Sequence, residues 1–121
     1  MTAAGAFVVI ADDDPDHATI VRLMLRRVSP DAVVTVITNP SSMQHGLLEA
    51  PGGALVLMDR MLAGQDATPQ LAMIHARRAD LRLVLLSSSL DADARRRALA
   101  AGAEAAEEKP SSLAGWVALL Q

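Results

Sequence analysis

Apolar runs and helical patterns alternate along this chain, and the spacing of the apolar positions changes at each alternation. Phe7-Val8-Val9-Ile10-Ala11 is a continuous apolar run of strand length. Asp14-Pro15 then reads as an N-cap with proline at the first helical position, opening a helix to about Val28 whose predicted core stripe is Ile20, Leu23, Met24 and Val28. Ser29-Pro30-Asp31 breaks it. Val33 to Ile37, nearly all β-branched, predicts a second strand closed by Asn39-Pro40. A short helix over 41–48 ends at Pro51-Gly52-Gly53, and Ala54 to Met58 predicts the third strand. A helix from Thr68-Pro69 to about Arg78, a strand at Leu83 to Leu86 and a helix from Leu90 to Ala101 follow, with Gly102 placed as the last helix's stop. Lys109-Pro110 marks the end of a fifth strand, and 111–121 predicts a short helix with Leu113, Trp116, Val117 and Leu120 as its apolar set.

Strands separated by helices of this length imply right-handed βαβ units and a parallel sheet covered on both faces, in which ligands bind beyond the carboxyl ends of the strands. Acidic residues gather at those ends: Asp12, Asp13 and Asp14 follow the first run and Asp59 ends the third. Two carboxylates about 4 Å apart repel by roughly 4 kcal/mol at an effective dielectric near 20, so a cation belongs there. An oxygen-only set suits Mg²⁺. Ser87 and Lys109 fall at the ends of the fourth and fifth strands.

Composition narrows the function classes. A chain of 121 residues with 51% apolar and 21% charged residues reads as one globular domain, 1–121, with no linker to a second. The net charge of −3, with Arg95-Arg96-Arg97 as the only dense basic run, argues against nucleic-acid binding. The absence of cysteine excludes disulfides, thiolate metal sites and cysteine nucleophiles. The N-terminus lacks the positive region of a signal peptide and no apolar stretch nears the ~18 residues of a membrane helix, so a cytoplasmic protein without membrane insertion is expected. Asp14 and Asp16 read as helix capping. His17, His45 and His75 read as exposed helix residues, and Arg95 to Arg97 as a solvated helix face.

Taken in order, Val-Val-Ile-Ala-Asp-Asp-Asp-Pro at 8–15, Leu-Val-Leu-Met-Asp at 55–59, Leu-Leu-Ser-Ser at 85–88, Ala-Gly-Ala at 101–103 and Lys-Pro at 109–110 resemble the receiver domain of bacterial two-component response regulators over nearly the whole chain. The resemblance implies a flavodoxin-like three-layer α/β sandwich, a five-stranded parallel sheet in the order 2-1-3-4-5 with five helices. It implies Asp59 as the phosphoacceptor, a nucleophile toward a phosphohistidine, assisted by Ser87 and Lys109. It implies Mg²⁺ held by Asp13, by Asp12 through water, by Asp59 and by the backbone carbonyl of Met61. The implied partners are a sensor histidine kinase or histidine phosphotransfer protein and an unknown downstream protein. The domain is then a signalling module and not an enzyme in the ordinary sense, stand-alone, and a monomer or weak dimer. The family's Lys-Pro bond is commonly cis, which is the expectation for Pro110.

Departures from the family pattern are as informative. Ala63 stands where proline is usual and Ala67 where glycine is usual, so a positive φ at 67 would be strained. Ala106 replaces the aromatic that normally follows the hydroxyl at the Ser87 position inward, which puts the usual readout in doubt. Glu107 and Glu108 occupy a strand expected to be apolar, predicting either a distorted, exposed fifth strand or pairing with a basic side chain such as Arg97. These departures support an alternative, a degenerate receiver serving as a phosphorylation-independent interaction or dimerisation module. A phosphoaspartate hydrolase would need Asp12 as nucleophile and would leave Asp59 and Lys109 without a role.

Overall fold

In a computed structural model, described over residues 6–120, five parallel strands form one sheet: β1 (Phe7–Ala11), β2 (Val33–Ile37), β3 (Leu55–Asp59), β4 (Arg82–Ser87) and β5 (Ala105–Glu108). Their order is β2-β1-β3-β4-β5, as the resemblance implied, so β2 and β5 are the edges. The helices are α1 (Pro15–Val28), α2 (Met43–Leu48), α3 (Thr68–Arg77), α4 (Ala92–Ala101) and α5 (Leu113–Leu120). Gln121, expected in the last helix, lies outside the described residues. Among the described residues, no helix is long and apolar enough to cross a membrane.

Alternating side chains of each strand divide the core into two layers. Val9, Ala11, Val56, Met58, Leu83 and Leu85 meet α2, α3 and α4 through Met43, Leu47, Leu71, Ile74 and Ala98. Val8, Ile10, Leu55, Leu57, Val84 and Leu86 meet α1 and α5 through Ala18, Val21, Leu25, Trp116 and Leu120. Between the α3 and α4 ends, Gly102 takes a left-handed φ of 115° and admits the His75 side chain, which a Cβ there would strike.

Several expectations need correction. The buried stripe of α1 is Ala18, Val21 and Leu25, with Met24 and Val28 packed partly buried beside it as expected, whereas Ile20 and Leu23 are about half exposed. Leu113 likewise faces solvent. β5 is neither distorted nor paired with Arg97: it is regular in register, Ser87 opposite Glu108, with Ala106 buried between partly covered neighbours. Its edge position lets the glutamates reach water. Glu108 accepts the Leu90 amide at 3.0 Å, and Arg97 instead pairs with Asp93. The Lys109–Pro110 bond is trans, since the described residues contain no cis peptide.

Candidate functional site

Strand register assembles a cluster at the carboxyl end of the sheet. Ala11 pairs with Met58, Asp59 with Leu86 and Ser87 with Glu108, so the residues ending neighbouring strands lie side by side. Backbone bonding runs on past the strand ends, from Asp12 N to the Ile37 carbonyl (3.1 Å), Arg60 N to Leu86 (2.7 Å) and Lys109 N to Ser87 (2.8 Å). Carboxylate oxygens of Asp12, Asp13 and Asp59 consequently lie within 4.8 Å of one another. Lys109 Nζ donates to Asp59 Oδ2 at 3.0 Å.

Asp12, buried, and Asp59, partly buried, are shifted in opposite directions. For Asp12, burial pushes the pKa up, but hydrogen bonds from His17 and the Asp14 amide, with the charges of His17 and Lys109, outweigh burial and hold it below its ordinary value. For Asp59, burial dominates and the nearby Asp12 charge adds to it, so the carboxyl stays above its ordinary value despite Lys109 and the Met61 amide.

Each carboxylate has its own internal donor. The Asp14 amide donates to Asp12 Oδ1 at 3.0 Å, and His17 Nδ1 contacts Asp12 Oδ2. The Ala63 amide donates to Asp13 Oδ2 at 2.9 Å, and the Met61 amide reaches Asp59 Oδ1 at 3.4 Å. Ala63 and Gly64 form the two-residue loop of a short hairpin, Met61–Leu62 against Gln65–Asp66. Both carry positive φ, 52° and 76°. The left-handed alanine is therefore Ala63, whereas Ala67 is right-handed at φ −83°. Ser87, buried, donates its hydroxyl to the Ser89 carbonyl at 2.6 Å. The Arg60 guanidinium reaches the same carbonyl at 3.4 Å and pairs with Asp66 at 3.2 Å.

Asp12, Asp13 and Asp59 thus come together with Lys109 on Asp59, Ser87 ends the neighbouring strand with its hydroxyl on the Ser89 carbonyl, and Asp14 caps α1 by accepting the Asp16 and His17 amides. His17 is the residue that sequence reasoning missed. It is half-buried, set on Asp12 and tilted at 53° against the Trp116 ring, with the ring centroids 5.8 Å apart. The available signal was its place in the first turn after the Asp14 cap, five residues beyond Asp12. The donor set is all oxygen from three carboxylates, one nearly fully buried, which fits a hard divalent cation such as Mg²⁺.

Comparison with known proteins agrees with the fold. A signal receiver domain of a DNA-binding response regulator from Colwellia psychrerythraea 34H superposes with a TM-score of 0.81 at 22% identity, covering 94% of each chain. A response regulator from Burkholderia pseudomallei, solved with a phosphorylated aspartic acid, a calcium ion and citrate, gives 0.79 at 18% identity, covering 96% of this chain and 66% of that one. A receiver domain from Rhodospirillum rubrum gives 0.79 at 20%, covering 98% and 87%. No curated protein sequence matches. The family model described as the response regulator receiver domain matches residues 8–121, and the chain belongs to that family.

Proposed function

We propose that this receiver is phosphorylated on Asp59. The observation that carries the proposal is Lys109 Nζ at 3.0 Å from Asp59 Oδ2, in a pocket where Asp12 and Asp13 bring their oxygens within 4.8 Å. Asp59 contributes an oxygen that attacks the phosphorus of a phosphohistidine. The P–N bond breaks, its electron pair returns to the imidazole, and an acyl phosphate forms on Asp59. Lys109 is placed to keep its ammonium on a phosphoryl oxygen once Asp59 Oδ is esterified. The Ser87 hydroxyl must leave the Ser89 carbonyl to donate to another. Mg²⁺, held by Asp12, Asp13, Asp59 and the Met61 carbonyl, would supply charge neutralisation of the phosphoryl group.

The donor is a sensor histidine kinase or a phosphotransfer protein in the cytoplasm. Exposed Ile20 and Leu113, apolar side chains suited to a protein donor, share a groove with Lys109. Output follows by altered protein binding or onward relay. The test is intact-protein mass after incubation with a small acyl phosphate and Mg²⁺. One added phosphoryl group that Asp59→Asn and metal omission both abolish is the expected result. No adduct, with a beryllofluoride mimic also failing to bind, would favour a phosphorylation-independent interaction module.

A further inference from the structure

The carboxylate of Asp12 is buried and gripped at both oxygens, at Oδ1 by the Asp14 amide and at Oδ2 by His17 Nδ1. These two grips differ in origin. The first is local backbone geometry ahead of α1. The second depends on one side chain, which is itself held against Trp116 of α5, a residue only 6% exposed. An ionised carboxylate only accepts hydrogen bonds, so the imidazole presents Nδ1–H to it. Each carboxylate oxygen keeps a second lone pair, so neither donor removes Asp12 from the cation site.

On the reading of this pocket as a cation-dependent phosphoacceptor site, we propose that His17 is a positioning residue, orienting the Asp12 carboxylate for the cation through Nδ1–H while its ring couples the site to Trp116. Without the Oδ2 grip the carboxylate is held on one side only and must be ordered when the cation arrives. Outer partners of metal ligands act in this way, and their loss typically weakens binding about 10–100-fold. The coupling to α5 matters because Ala106 provides no aromatic to move. His17 and Trp116 are an aromatic contact on the opposite face of the sheet from Ala106.

Two substitutions separate donor from ring. Asparagine places an amide near the position of Nδ1 and keeps the hydrogen bond without the ring; alanine removes both. Mg²⁺ binding by calorimetry is expected to weaken about tenfold or more in His17→Ala and to stay within about threefold of wild type in His17→Asn. Trp116 is the sole tryptophan and the chain has no tyrosine, so its emission reports the ring contact without interference. Mg²⁺ should shift that emission in wild type and leave it nearly unchanged in both variants, with circular dichroism checking that each is folded. An affinity unchanged in His17→Ala, or equally weak in His17→Asn, would overturn the positioning role, as would a full emission response in either variant. Wild-type protein that takes up phosphate on Asp59 yet gives these results leaves the phosphoacceptor reading standing and removes only the role of His17. Wild type that binds no Mg²⁺ removes both.

Discussion

Replacing Ala63 with asparagine should stabilise the protein by about 1 kcal/mol, because the two-residue loop it shares with Gly64 demands left-handed backbone at both positions. Ala63 has φ 52° and Gly64 φ 76°, the conformation of a type I′ turn joining Met61–Leu62 to Gln65–Asp66. A residue with a Cβ loses about 1–2 kcal/mol in that region, and asparagine recovers much of it through local hydrogen bonding. For a domain of this size the gain corresponds to a rise of about 3–6 °C in Tm. Glycine should recover less, since it also adds about 0.4–1 kcal/mol of freedom to the unfolded chain. Proline is the instructive opposite. Its φ near −65° is incompatible with the turn, and it deletes the amide that donates to Asp13 Oδ2 at 2.9 Å. A lost hydrogen bond to a charged group costs about 1.5–3 kcal/mol, so Ala63→Pro should cost about 3 kcal/mol or more in total. Urea unfolding of the three variants against wild type is the assay. Asparagine that destabilises, or proline that is tolerated, would refute the left-handed assignment and with it the Ala63–Asp13 bond.

Three further outcomes concern the site and its missing aromatic. Asp59 has its pKa raised above 3.8 on folding, so the folded state loses stability as pH rises from 3.8 through the folded value; Asp59→Asn should be more stable than wild type at neutral pH, with the advantage vanishing below pH 3.8. Asp12 is shifted the other way and contributes stability that disappears as pH falls from 3.8, so Asp12→Asn should be less stable at neutral pH; urea titrations across pH that give both variants the same sign would contradict the opposed shifts. Tyrosine at Ala106 enters a position only 2% exposed, and overpacking there should cost about 1–3 kcal/mol in thermal melts. A neutral Ala106→Tyr would mean that the space for an aromatic has been kept.

The elements were legible because their signals are local. Pro15 after the Asp14 cap starts α1, and Gly102 at φ 115° ends α4, both from chemistry contained in a few residues. The face of α1 was legible only in part. Met24 and Val28 do pack against the core, but Ile20 and Leu23 repeat at helical spacing as well as Ala18, Val21 and Leu25 do, and these large exposed side chains widen the predicted stripe toward solvent. The strand-end carboxylates could be read because parallel register brings strand ends together. What holds them could not. The Ala63 amide reaches Asp13 across 50 residues through a backbone conformation that alanine rarely adopts, and His17 turns its ring back on Asp12 from the first turn of α1 while resting against Trp116, a residue distant in sequence. The acidic β5 misled for another reason: the implied strand order already makes it an edge, where a carboxylate remains hydrated, so Glu107 and Glu108 call for neither distortion nor an Arg97 partner.

The opposite edge has a consequence for handling the protein. β2 is a run of five residues, Val-Val-Thr-Val-Ile, without a charge, and its outer row of amides and carbonyls meets no further strand among the described residues. Val33 stands 55% exposed at its start, and a net charge of −3 offers little long-range repulsion between copies. Such an edge is a template for intermolecular strand pairing. Concentrated samples should therefore lose folded protein through β2 before they lose it by unfolding, and Thr35, exposed at the middle of the strand, is where one lysine would block that self-association without touching the acidic pocket.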